Sequence, residues 1–111
     1  MDSILTSIKK QIGIDSGYKH FDADIIMAIN TVFSVLQQLG VGPSDGFRIT
    51  DDSTTWDDYV ANRPDLESLK TYIGIRVKLI FDPPTNSAVL TALKETKSEL
   101  EWRLNVAAEE G

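Results

Sequence analysis

The chain has 111 residues, 41% hydrophobic and 25% charged, which suits one domain with one modest core and lies far from the apolar-poor composition of disordered proteins. Its 17 acidic and 11 basic residues give a net charge of -6, a field that repels phosphate backbones and argues against a grip on nucleic acid. It has no cysteine, which excludes disulfides, thiolate metal sites and cysteine nucleophiles.

The first helix is predicted over residues 3–12, where Ile4, Leu5, Ile8 and Ile12 fall on one side and Gly13 stops it. Asp15, Ser16 and Gly17 then make a turn, and Tyr18, Lys19, His20 and Phe21 lead to a helix start that Asp22 is expected to cap. The second helix, over 22–39, carries the clearest stripe: Ile25, Ile26, Ile29, Val32, Phe33, Leu36 and Leu39 recur at steps of three and four. Gly40 ends it.

From 41 to 63 the pattern dissolves into Gly42-Pro43, Asp45-Gly46, Asp51-Asp52 and Ser53-Thr54, a loop long enough to be suspected of function. Within it, Phe47-Arg48-Ile49-Thr50 could form a short strand, and Thr55 could cap one helical turn through Trp56, Asp57, Asp58 and Tyr59.

A third long helix is predicted over 64–81, with Leu66, Leu69, Tyr72, Ile73, Val77 and Ile80 on its main face. Ile75, Leu79 and Phe81 leave that face, so the helix should be contacted from more than one side, within the fold or between subunits. Arg76 lies within the stripe and needs a carboxylate or carbonyl partner if buried. Asp82-Pro83-Pro84 ends the helix, since proline lacks the amide donor and constrains the residue before it.

The last helix should begin at Asn86 or Ser87 and run towards Glu109, with Val89, Leu93, Leu100 and Leu104 facing the core. Trp102 follows Leu93 by nine residues, about 900° of helical rotation, and so points away from that face with Val106 beside it. An outward tryptophan next to Arg103 has the composition of a protein interface. The competing reading is an indole covered by the chain's own long loop. The predicted fold is thus all-α, a single bundle of four main helices with a long irregular loop between the second and third.

Catalytic signatures are missing from the sequence. His20 is the sole histidine, has no serine nucleophile beside it and reads as a turn residue, and no phosphate-binding glycine loop or zinc-protease motif occurs. Asp22 and Asp24 lack the glycine and distal glutamate of a calcium loop. Glu95, Glu99 and Glu101 invite comparison with all-helical nucleotide pyrophosphatases, but the third long helix offers only Asp65 and Glu67 in return. No catalytic, cofactor-binding or metal-binding residue is assigned. No apolar run reaches the roughly 20 residues of a membrane span, and Met1-Asp2-Ser3 lacks the features of a secretory leader, so a soluble cytoplasmic protein without membrane contact is expected.

The stretch Tyr72-Ile73-Gly74-Ile75-Arg76-Val77-Lys78-Leu79-Ile80-Phe81-Asp82-Pro83-Pro84, with Glu99-Leu100-Glu101-Trp102-Arg103-Leu104-Asn105, resembles the head-tail connector proteins of long-tailed bacteriophages. Asp22-Ala23-Asp24-Ile25-Ile26-Met27-Ala28-Ile29-Asn30 and Thr55-Trp56-Asp57-Asp58-Tyr59 are similar to the same family, so the likeness covers most of the chain. The resemblance implies a virion assembly protein, a head-completion adaptor that forms a dodecameric ring beneath the portal after DNA packaging and receives the tail-side completion protein. DNA would pass through the ring without specific binding. It further implies that Trp102, Arg103 and Asn105 meet the portal or a neighbouring copy, and that the long loop meets a neighbour, the tail side or the channel. The interface residues expected from both lines are Trp102, Arg103, Asn105, Val106, Ile75, Arg76 and Trp56. Two other readings stay open, a generic helical partner-binding or regulatory module and a metal-dependent nucleotide pyrophosphatase.

Overall fold

A computed structural model describes residues 3–60 and 64–110. The expectations that fall on Met1, Asp2 and 61–63, the last three residues of the long loop, lie outside the described residues. Among the described residues there are four long helices, α1 (Ile4–Gln11), α2 (Asp22–Gln38), α4 (Leu66–Phe81) and α5 (Ser87–Glu110), plus the single turn α3 (Trp56–Tyr59). The all-α bundle expected from the sequence is therefore the observed class.

Each boundary has a local cause. Ser3 caps α1 by accepting the Thr6 amide at 3.1 Å, and Asn86 caps α5 by accepting the amides of Ala88 and Val89 at 2.9 and 3.1 Å. Gly40, at φ +84°, closes α2 in the left-handed conformation that follows many helices, and the Val41 amide returns to the Leu36 carbonyl at 2.8 Å. In α3 the Asp58 carboxylate reaches back to the Thr55 amide at 2.9 Å, as a capping box requires.

The centre of the molecule is α4, which is met by α1 and α2 on one side and by α5 on another. Its Leu69, Tyr72, Ile73 and Val77 are enclosed with Ile4, Leu5 and Ile8 of α1 and Ile25, Ile29, Val32, Phe33 and Leu36 of α2. Gly74 lets α1 approach closely, since a Cβ there would strike the end of Gln11, whose amide donates to the Lys70 carbonyl at 3.2 Å. Ile80 departs from its expected core position and is 51% exposed, lining a surface hollow with Met27 and Thr31 of α2. Val89, expected on the core face of α5, is 48% exposed.

The loop from 41 is draped over the core. Val41 and Ile49 are buried, and Phe47 packs edge-on against Phe33 with ring centres 5.2 Å apart. Residues 47–50 form no strand. Instead the Asn30 side chain serves Ile49 as a strand partner would, donating to its carbonyl at 2.9 Å and accepting from its amide at 2.8 Å. Asp51 closes a tight turn, where the Ser53 hydroxyl and amide hold its carboxyl below the usual range.

Candidate interaction surface

Leu104 of α5 is buried against α4, and Leu100 lies half-buried one turn earlier. That anchoring sends Trp102 outward, and its side chain is 67% exposed. Arg103 is exposed beside it and donates to the Glu99 carboxylate at 2.8 Å, one turn back on the same helix. Asn105 and Val106 are half-buried on the flanks. The periodicity therefore placed the indole correctly, and the chain's own loop does not cover it.

The rotation of α5 is set by polar contacts with α4. Arg76 donates to Glu101 Oε2 at 2.8 Å, and the Tyr72 hydroxyl donates to the same oxygen at 2.6 Å. Arg76 also donates to the Tyr72 hydroxyl at 3.0 Å, so three side chains share one carboxylate-centred knot. Burial, reinforced by the hydrogen bond to Glu101, raises the Tyr72 pKa above its ordinary value. Arg76 thus finds the carboxylate partner that its place in the stripe demanded, inside its own subunit, and Ile75 is half-buried next to it. Trp56 is a correction. It is only 1% exposed, enclosed in the core with Lys70 Nζ 5.6 Å from its ring centre, and presents no surface to another molecule.

Two features escaped the sequence reading. Lys9 of α1 is buried, and its ammonium donates to the carbonyls of Ser16 and Tyr18 at 3.2 and 2.7 Å and to Asp22 Oδ1 at 2.7 Å. Asp22 is consequently an ion-pair partner at the first position of α2, and Phe21 occupies the cap position without a side-chain cap bond. That anchor holds the 13–21 turn, which presents Tyr18 and Phe21. Their rings sit 5.8 Å apart, and Phe21 meets Phe81 edge-on at 5.4 Å, forming an aromatic shelf at the end of α4. His20, exposed in the same turn, packs on Phe21 at 4.7 Å.

The acidic residues weighed as metal ligands are otherwise engaged or dispersed. Glu101 is held by Arg76 and Tyr72, Glu99 by Arg103, and among the described residues no three His, Asp or Glu side chains gather as metal ligands. No helix among the described residues is long and apolar enough to cross a membrane.

A small all-helical subunit whose distinctive features are apolar and aromatic surfaces turned to solvent belongs to the class of proteins that work by docking to other chains. The chain belongs to the phage connector protein family, whose family model matches residues 4–111. No curated protein and no solved structure matches it. Membership gives the protein a structural connecting role in the phage particle and makes other virion head or tail components its partners.

Proposed function

We propose that the protein is a head-completion adaptor, a non-catalytic subunit that joins copies of itself in a dodecameric ring beneath the portal after DNA packaging and offers the tail-side completion protein a platform. Assembly would take place in the host cytoplasm and end at the head-tail junction of the virion. The observation that carries this reading is Trp102, 67% exposed on a helix whose rotation the Arg76, Tyr72 and Glu101 knot fixes, in a chain that is connector-like over residues 4–111. An indole has only two side-chain torsions to fix and so loses little conformational freedom on docking, which is how aromatic anchors contribute affinity. The net charge of -6 supports passage of DNA without adhesion.

Electron microscopy and co-sedimentation with the portal of the same phage test the reading. The wild-type protein should add a ring to the portal, and Trp102→Ala should stay folded yet attach at least thirtyfold more weakly, the equivalent of about 2 kcal/mol for an anchor residue. Trp56→Ala is the control: a buried ring lost from the core lowers stability by about 3–5 kcal/mol. A wild-type protein that leaves the portal bare, or a Trp102→Ala variant that attaches normally, would overturn the assignment.

A further inference from the structure

Two apolar surfaces of this subunit carry opposite charge and lie on different helices. The first is a cleft of about 690 Å³ floored by Tyr18, Phe21 and Phe81 and edged by Asp15, Asp24 and Asp82. It runs on into a second hollow that shares Asp24 and Phe81 and adds Met27 and Ile80, the former 70% exposed. Of the three rim carboxylates, only Asp82 has a lysine beside it among the described residues, Lys78 at 3.8 Å. The rim therefore favours an occupant that brings cations along with apolar side chains.

The second surface is the first half of α5. The stripe that buries Leu104 and half-buries Leu100 continues at helical spacing through Leu93 and Leu90, which are also only half-buried, to Val89, which is 48% exposed. Lys97 lies on the stripe and Lys94 at its edge, and neither forms an ion pair among the described residues. Elsewhere on α5 the charges of Glu99, Glu101 and Arg103 are matched within the subunit. The chain thus carries, on one helix, the cationic and apolar segment that its own cleft lacks.

We propose that the Val89, Leu90 and Leu93 stripe of one copy seats in the Tyr18, Phe21 and Phe81 cleft of a second copy, with Lys94 and Lys97 facing Asp15 and Asp24. The two surfaces differ, so the contact is head-to-tail: each copy uses one surface on each neighbour, and the chain of contacts closes into a ring if the rotation permits. This assignment rests on the ring reading above and names its subunit contact. Trp102 has no part in it, which leaves the portal surface free.

The absence of native cysteine makes disulfide trapping direct. A Tyr18→Cys/Val89→Cys chain, mildly oxidised alone and with the portal, should give a ladder of covalent multimers. A mixture of the two single variants should give mainly the mixed dimer. Asp15→Lys with Asp24→Lys, after a check of helix content, should lower ladder formation about tenfold, and Lys94→Glu with Lys97→Glu in the same chain should restore it. No ladder, a ladder indifferent to charge reversal, or homodimers from either single variant would each overturn the contact. Cleft variants that keep the ladder but lose the portal would show that the cleft takes the portal, and would also overturn it. A protein that forms the ladder but never attaches to the portal would support the contact and count against the adaptor reading alone.

Discussion

Replacing Lys9 by methionine keeps the buried aliphatic stem and removes only the ammonium, so it isolates what the charge contributes. In the folded protein that group is 2% exposed and saturated by three acceptors, the Ser16 and Tyr18 carbonyls and the Asp22 carboxylate. Removing one member of a buried ion pair costs about 3–5 kcal/mol, mostly through the charge left behind. Here Asp22 keeps 20% exposure and the two carbonyls belong to a surface turn, so water can reach them and the low end, about 3 kcal/mol, applies. For a domain of this size, with an m-value near 1.5 kcal/mol/M in urea, the unfolding midpoint should fall by about 2 M. Lys9→Met/Asp22→Leu, which replaces the pair by apolar groups, should recover much of the loss. A Lys9→Met midpoint within about 0.5 M of wild type would refute the idea that this ammonium anchors the turn.

Tyr72 supplies a pH prediction. Its folded pKa is raised above the ordinary value of 10.0, so the neutral hydroxyl is favoured in the folded state and its contribution is intact below pH 10. Above that pH the unfolded chain loses the proton first, stability falls, and Tyr72→Phe should show a shallower alkaline loss in thermal unfolding between pH 9 and 11. Equal slopes for the two proteins would count against the knot around Glu101. Asn30→Ala should cost about 2–3 kcal/mol, because it strands the amide and carbonyl of the buried Ile49. Amide exchange should then quicken over 47–50 while the middle of α2 stays protected, and unchanged exchange there would show that the loop is held by its apolar contacts alone.

Periodicity made much of this molecule legible and explains where legibility stopped. The stripe of α2 and the outward turn of Trp102 both follow from 100° per residue, a rule that needs no knowledge of neighbouring elements. Val89 and Ile80 obey the same rule yet stand in solvent, since periodicity reports which face is apolar and not how closely a neighbouring element covers it. Trp56 sits on one helical turn inside an irregular stretch, too short for any periodic signal, and its burial is decided by the loop folding back on the core. Lys9 was hidden by its type: lysine on a short helix is ordinarily solvated, and only the return of the chain 13 residues later, bringing Asp22, encloses it. The helical start read at Asp22 was therefore sound, but its carboxylate serves α1 instead of the α2 amides.

The attachment of α5 explains how one short chain can keep several surfaces free at once. Its 24 residues make a rod of about 36 Å, close to the 39 Å long dimension of the subunit, and its principal contact is with α4 alone. Apolar contacts such as Leu100 and Leu104 hold such a rod down but tolerate some rotation about its axis, because hydrophobic burial is not directional. The Glu101 carboxylate, shared by Arg76 and Tyr72, is directional and sits between those leucines, so it fixes the angle at which Trp102 leaves the surface. A helix covered on all sides would have needed no such knot and could have offered nothing outward. The polar clamp is what allows an amphipathic helix to be anchored along one face while Trp102 on the opposite face, and Val89 near its start, stay open to other chains.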